Sequence, residues 1–248
     1  MAFRLIDHKD RFKGRRIWVV GAGPSLNDVD LSLLNSEIVV CVNNVIAARN
    51  RLKIDYHVVW GWNRFIRLVP EIIVAAKECP GMRIICAPPY QYLRKYIETL
   101  KPFENVCLVA RFKRRTSKTH RKECEKYTAD GTLCACPLFR RAWQWQIPWC
   151  TYFAIRWAQY LGASSLYYLG QDGILRPDQS HFSDAFIHNF TKSKRAKKLN
   201  GFCGRMEKIA RRLTAQGTPV INCSPGSALN IPQMTLEDVV SQPDVPKS

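Results

Sequence analysis

Residues 16–26 read RIWVVGAGPSL, an apolar run of strand type that leads directly into a turn with two glycines. Such a turn at a strand end lets backbone N–H groups approach a phosphate or a ribose. The third glycine of the dinucleotide fingerprint is replaced by Leu26, and the second apolar run ends at Asn43 without a ribose-binding acid. The segment therefore predicts a nucleotide site and argues against nicotinamide and flavin cofactors. The alternative is that Gly21 and Gly23 only make a tight turn.

Short β-rich runs alternate with helical stretches along most of the chain, which is typical of a parallel α/β sheet. Strands are predicted at residues 17–20, 38–42, 56–60, 82–86, 105–110, 165–169 and 220–222. Helices are predicted at 28–34, 64–77, 91–100, 150–161 and 199–216. The pattern predicts a doubly wound, mainly parallel, Rossmann-like sheet in a single domain over residues 1–232. A basic, cysteine-containing insertion is expected at about 111–149, and a peripheral C-terminal tail at 233–248.

The composition indicates a folded and strongly basic chain. Of 248 residues, 46% are hydrophobic, and 38 Lys and Arg against 20 Asp and Glu leave a net charge of +18. That excess predicts a polyanionic partner. No apolar run approaches the roughly 18 to 20 residues of a membrane span, and the first residues lack the apolar core of a signal peptide. We therefore expect a cytoplasmic protein without a membrane span, whose ten cysteines are reduced thiols.

The positive charge is clustered in two runs. Residues 111–122 hold seven Lys or Arg and no acid, and residues 192–198 hold five more. In residues 139–149, aromatic side chains alternate with arginine and glutamine. This combination favours phosphate contact and base stacking, so nucleic acid is predicted as a partner, with DNA favoured. The alternative is a solvated charged face beside core tryptophans. The candidate contact residues are Arg111, Lys113, Arg114, Arg115, Lys118, Trp143, Trp145, Lys194 and Arg195.

Four soft metal ligands lie within the insertion. They are His120, Cys124, Cys134 and Cys136. A tetrahedral zinc ion would give this irregular stretch a core, so the residues predict a structural zinc site. The spacing lacks the paired C-x2-C knuckles of common zinc modules, and ordinary reduced cysteines are the alternative.

A loop rich in histidine and aspartate follows the strand predicted at 165–169. A doubly wound sheet keeps its chemistry in such a loop, and an imidazole can take a proton from a hydroxyl near neutral pH. The loop carries Asp172, Asp178, His181, Asp184 and His188. A divalent metal held by Asp172, Asp178 and His181 is an alternative use of the same side chains.

Four motifs together resemble a known superfamily. They are VVGAGPSLNDVDLSLL at 19–34, VCVNN at 40–44, YLGASSLYYLGQD at 160–172 and SHF at 180–182. The set resembles the bacterial lipooligosaccharide sialyltransferases and a related family that includes archaeal-type 6-hydroxymethylpterin diphosphokinases. Both families open with a strand, a G-x-G-P-S-L turn and a second strand that ends in Asn. The resemblance covers about two thirds of the chain.

The resemblance implies a nucleotide-sugar donor of the CMP or UDP type and a role for particular residues. Asn43 would hydrogen-bond the nucleotide, and a histidine after Asp172 would be the base, with His188 favoured over His181 by its position beyond the SHF string. The residues that would surround the nucleotide are Gly21, Ala22, Gly23, Pro24, Ser25 and Gly170.

Two departures from the superfamily pattern put the donor in question. The paired tyrosines that neutralise the leaving phosphate are missing, and Arg176 is the candidate to supply that charge. The Thr-Ser-Gly string at the start of the preceding helix reads Trp149-Cys150-Thr151 here.

A second nucleotide-dependent activity is indicated by Ala87-Pro88-Pro89-Tyr90, which is similar to the D/N/S-P-P-Y motif of amino-group DNA methyltransferases. Ala87 lacks the side-chain acceptor that this chemistry needs. A strand that ends in prolines is the favoured interpretation of the motif.

The sequence thus predicts a nucleotide-dependent group transferase. It would be a glycosyltransferase that moves a sugar from a nucleotide donor to a hydroxyl acceptor. DNA is the favoured acceptor, and a phosphorylated small molecule or an anionic glycan is the alternative. The alternatives are pyrophosphoryl transfer from ATP to a hydroxymethyl compound, and a nucleic-acid-binding protein without catalysis. Whether a divalent metal takes part is left open.

Overall fold

The computed structural model describes residues 3–60, 62–86, 93–109, 150–173 and 192–244, with the backbone alone at 62–64, 93–94 and 192–200. Its centre is a seven-stranded parallel sheet in the order β5-β4-β3-β2-β1-β6-β7. The strands are β1 (Arg16–Val20), β2 (Val39–Val42), β3 (Tyr56–Val59), β4 (Arg83–Cys86), β5 (Val106–Leu108), β6 (Ser165–Leu169) and β7 (Val220–Asn222). The predicted α/β class with a parallel, Rossmann-like sheet is confirmed.

Helices cover both faces of the sheet. They are α1 (Trp62–Glu78), α2 (Leu93–Leu100), α3 (Cys150–Tyr160), α4 (Lys192–Ala215) and α5 (Leu236–Ser241). The first face carries α1, α2 and α5, and the second carries α3 and α4. Because both faces are covered, the strands are apolar on both sides: Trp18 and Val20 enter the first core, and Ile17 and Val19 the second.

Two helix predictions are corrected. The helix expected at 28–34 is replaced by two 3₁₀ helices, Pro24–Asn27 and Leu31–Leu34. The second starts anew because the Asp30 carboxylate accepts a hydrogen bond from the Ser32 N–H and caps it. The helix expected to begin at residue 199 begins at Lys192 instead, since the lysines, arginine and alanine before it are good helix formers.

The C-terminal segment was predicted to be peripheral, but its helix α5 packs against the first core. Leu236 and Val239 are buried in the first core. Arg16 in β1 donates hydrogen bonds to the carbonyls of Val239 and Gln242 and forms a buried ion pair with Glu37. The segment is held in place because the apolar side of α5 packs against the sheet. The Arg16 guanidinium also donates to carbonyls at the C-terminal end of α5, which the helix itself leaves without donors.

His57 in β3 makes the stability of the fold depend on pH. Burial lowers the pKa of His57 to about 3, an effect that the Asn43 backbone only partly offsets, whereas an unfolded chain titrates near 6.5. Between these values the unfolded chain binds a proton that the folded chain does not. The stability that neutral His57 allows is therefore complete above about pH 6.5 and declines as the pH falls toward 3.

We expect the free energy of unfolding to be lower at pH 5 than at pH 7 by about 2 kcal/mol through His57 alone. Urea titrations at the two pH values measure the difference. His57→Leu should reduce it, and the buried His8, whose pKa burial also lowers, accounts for part of what remains. An unchanged pH dependence in the Leu variant would contradict this role of His57.

Two further features of the described residues concern helix hydropathy and the cysteines. Within the described ranges, no helix is both long enough and apolar enough to span a bilayer. The seven cysteines placed there are all free thiols.

Candidate functional site

The strand order reverses between β1 and β6. Strands β2 to β5 follow one another on one side of β1, and the chain then returns to place β6 and β7 on the other side. The loops after β1 and β6 thus leave the carboxyl edge of the sheet next to each other and continue to opposite sides. In open α/β sheets, ligands bind in the crevice between two such loops, here the loops after β1 and β6.

The glycine turn and the loop after β6 are hydrogen-bonded together at this point. Gly21 N–H donates to the Leu169 carbonyl and Gly23 N–H to the Gly170 carbonyl, each at 2.8 Å. Asp172 is 3% exposed, and its carboxylate accepts from the Ser25 N–H at 2.8 Å and from the Ser25 hydroxyl. The predicted residues 21–25, 170 and 172 therefore lie in one interlocked unit.

These bonds correct the predicted use of the turn. The N–H groups of Gly21, Gly23 and Ser25 were expected to face a phosphate, but they donate to protein oxygens. Each glycine is required by close packing, because a Cβ at Gly21 would lie 2.3 Å from the Gln171 Nε2 and one at Gly23 would lie 2.5 Å from the Asp172 Cγ. The tight-turn interpretation explains both glycines, and a side chain at either would disturb the loop pair.

The other predicted nucleotide-binding residues on these strands lie at the same edge. Ala22 and Gly23 are half-buried, so part of the turn remains accessible, while Pro24 is buried at the start of its 3₁₀ helix. Asn43 follows β2, is buried, and adopts a left-handed φ of 47°. Its Oδ1 accepts from the Trp60 N–H at 3.0 Å, which joins the carboxyl ends of β2 and β3.

A third loop, after β7, lies at the same carboxyl edge of the sheet. It was not predicted from the sequence as part of the site. Gln171 N–H donates to the Ser224 hydroxyl at 3.0 Å. The Ser227 hydroxyl lies 3.1 Å and 3.0 Å from the backbone carbonyls of Gln171 and Asp172. The Ala228 N–H also donates to the Asp172 backbone carbonyl. The sequence signal that could have predicted this loop is the pair of serines, Ser224 and Ser227, that follow the short β-rich run at 220–222.

Two buried amide groups in this edge have no hydrogen-bond partner among the residues that the structure describes. They are the Nε2 of Gln171 and the Nδ2 of Asn222, whose residues are 4% and 1% exposed. A buried donor without an acceptor costs about 1–3 kcal/mol, so such groups call for an additional partner. An acceptor oxygen, of an ordered water or of a ligand, is the kind of partner that suits both.

Helix α3 begins at the same edge. The Thr151 hydroxyl in its first turn donates to Gln171 Oε1 at 3.4 Å, and Cys150 Sγ lies 3.2 Å from the Val58 carbonyl. The partial positive charge of a helix N-terminus therefore adds to the donor character of the Gln171 amide.

Several predictions fall on residues that the structure does not describe. His181, His188 and Arg176 lie there, as do Asp184 of the same loop and Asp178 of the predicted metal alternative. Three further sets also lie outside the described residues. They are the nucleic-acid candidates Arg111, Lys113, Arg114, Arg115, Lys118, Trp143 and Trp145, the zinc candidates His120, Cys124, Cys134 and Cys136, and the Ala87-Pro88-Pro89-Tyr90 motif. Lys194 and Arg195 are in α4. No group of three or more potential metal ligands occurs within the ranges that are described.

Comparisons with known proteins add little. No family model matches the chain, and no curated protein matches it. Among solved structures, the MAf glycosyltransferase from Magnetospirillum magneticum AMB-1 is similar at 15% sequence identity with a TM-score of 0.48. The match covers 90% of this chain and 34% of that one, so this chain spans about a third of that protein. The assignment of a function therefore rests on the residues of the crevice.

Proposed function

We propose that the protein is a nucleotide-dependent group transferase, specifically a glycosyltransferase that uses a nucleotide sugar of the CMP or UDP type. The observation that carries this proposal is the meeting of the loops after β1 and β6 where the strand order reverses, a position at which α/β sheets bind nucleotides. The G-x-G-P-S-L turn and the G-x-D string that resemble the sialyltransferase superfamily occupy those two loops.

The donor phosphate is proposed to lie against the amide of Gln171 and the first turn of α3. Gln171 Nε2 is a buried donor, and the helix N-terminus favours negative charge. Asp172 acts as a positioning residue, because its carboxylate fastens the β1 turn through Ser25. Asn43 is proposed to lie beside the nucleotide at the adjoining strand end. Arg176 would supply positive charge to the leaving phosphate.

The proposed reaction is a displacement at the anomeric carbon of the donor sugar. The acceptor hydroxyl oxygen forms a bond to that carbon while the bond from carbon to phosphate oxygen breaks, and the nucleotide leaves with the electron pair. His188, or else His181, takes the hydroxyl proton. Donors aimed at the departing phosphate stabilise the charge that develops in the transition state.

The acceptor is proposed to be a polyanion, with DNA favoured. The net charge of +18 and the two basic runs support this choice. The insertion at 111–149, with its basic residues and tryptophans, is proposed to contact the acceptor, and a structural zinc on its four soft ligands would stabilise that segment.

A panel of CMP, UDP, GDP and ATP in thermal denaturation tests the donor. At 100 times its Kd, a bound nucleotide adds about 2.7 kcal/mol, which raises the Tm of a domain of this size by about 5–10 °C. We expect CMP or UDP to give that shift. Stabilisation by ATP alone would favour pyrophosphoryl transfer instead, and no shift with any nucleotide would contradict both enzymatic functions.

The Gln171→Met variant locates the phosphate contact. It keeps the length of the side chain and removes the amide, so the affinity for the stabilising nucleotide should fall about tenfold or more. Gln159→Met is the matched control, because the Gln159 amide lies near the far end of α3, where it bonds Arg156. Equal affinities in the two variants would remove Gln171 from the site.

A further inference from the structure

Helix α4 is the most highly charged element that the structure describes. Its 24 residues read KSKRAKKLNGFCGRMEKIARRLTA, with nine lysines or arginines and a single acid, Glu207. One helix therefore joins the basic run at 192–198 to further cations nearer its C-terminus.

The C-terminal half of α4 is amphipathic. Met206, Ala210 and Leu213 are buried against the second face of the sheet. The exposed side carries four cations, Arg205, Lys208, Arg211 and Arg212. At 100° per residue these four positions fall within about 120° of helix surface, and positions 194 and 197 fall in the same sector. The charge is thus a stripe along the helix.

Helix α4 passes beside the loop after β6. Cys203 Sγ lies 3.5 Å from the carbonyl of Gly173, the residue after Asp172. Further along, the Leu213 carbonyl accepts from the Thr218 N–H just before β7, at the opposite edge of the sheet. The helix therefore runs antiparallel to the strands, and residues 192–202 continue about 16 Å beyond Cys203 at 1.5 Å per residue.

We propose that this basic stripe is the docking surface for the sugar–phosphate backbone of duplex DNA and leads the acceptor to the crevice. The proposal rests on the proposed function. From position 194 to Arg212 the stripe measures about 27 Å, which matches on the order of eight base pairs of duplex. A rigid helix holds its cations at a fixed spacing, so a polyanion of regular charge spacing is the partner that fits.

Binding of a fluorescent DNA duplex at several salt concentrations tests the surface. The variant changes Arg205, Lys208, Arg211 and Arg212 to Gln. If each contacts a phosphate, the slope of log K against log salt flattens by about three to four units. The matched control changes four exposed cations on the first face to Gln. They are Arg67 and Lys77 in α1, Lys95 in α2 and Lys101 just after α2. It removes the same charge, and its slope should change by less than about one unit.

Three outcomes would overturn the proposal. One is equal flattening in both variants, which would show a general effect of net charge. Another is failure of the wild-type protein to bind DNA at low salt, including the case in which it binds anionic vesicles instead. The third is an α4 variant with an unchanged slope. Thermal denaturation with the stabilising nucleotide distinguishes failure of this proposal from failure of the proposed transferase function. The α4 variant should keep the rise in Tm that the nucleotide causes. A wild-type protein that binds DNA but shows no rise in Tm with any nucleotide contradicts the transferase function and leaves the docking surface standing.

Discussion

Replacing Arg16 with methionine is expected to lower the free energy of unfolding by about 3–5 kcal/mol, because it leaves a charged partner buried. The side chains of Arg16 and Glu37 are 8% and 6% exposed, and the hydrogen bond to Glu37 raises the pKa of Arg16. The change also removes the donors to the Val239 and Gln242 carbonyls, which hold the C-terminal segment against β1.

Urea unfolding of three variants measures this contribution. Arg16→Met should show the large loss, and the Arg16→Met, Glu37→Leu double variant should recover part of it because no buried charge remains. Arg15→Gln is the surface control: its ion pair with Asp244 involves an arginine side chain that is 42% exposed, and such pairs contribute less than about 1 kcal/mol. A similar small loss for Arg16→Met would contradict the anchoring role.

The second large effect concerns the proposed base. His188→Ala should lower the transfer rate by about 10² to 10⁴ while the affinity for the donor stays near normal, since help with proton removal is realised in the transition state. His181→Ala should lower the rate less. Rates of sugar transfer and calorimetric donor affinities, measured on both variants, make the comparison.

The thermal shift with the stabilising nucleotide is the control that both histidine variants remain folded. If His181→Ala gives the larger loss, the two assignments are exchanged. If neither variant slows transfer, hydroxyl activation by this loop is wrong.

The sheet could be predicted because each strand is a short apolar run between turn residues. In β1 and β2 the runs are continuous, as expected when helices cover both faces. Pairing between β1 and β6 could not be predicted from local pattern, because these strands are far apart in the sequence. Their pairing produces the reversal that locates the crevice.

The position of the site at the ends of β1 and β6 stays a prediction, and the geometry of its turn differs from the one expected. The turn at 21–25 was expected to present its N–H groups to a phosphate, yet Asp172 takes the Ser25 N–H from 147 residues away. Such a contact depends on the tertiary fold. The buried amide of Gln171 could not be singled out for the same reason, since its burial and its lack of a partner among the described residues appear only once the three loops meet.

The C-terminal segment shows a different limit. Leu236 and Val239 are spaced as one side of a helix, but two apolar residues in a six-residue helix are too weak a pattern to predict burial. The donors that hold this helix come from Arg16, which the sequence pattern placed only as the start of a strand.

Amide hydrogen exchange with and without the stabilising nucleotide tests directly whether the crevice between β1 and β6 holds the donor. Protection should increase at residues 21–27, 170–173 and 222–228, the three loops that meet at the carboxyl edge. Protection confined to another surface, such as the groove lined by residues 29–32, 35 and 49–53 near the amino ends of β2 and β3, would contradict donor binding in the crevice.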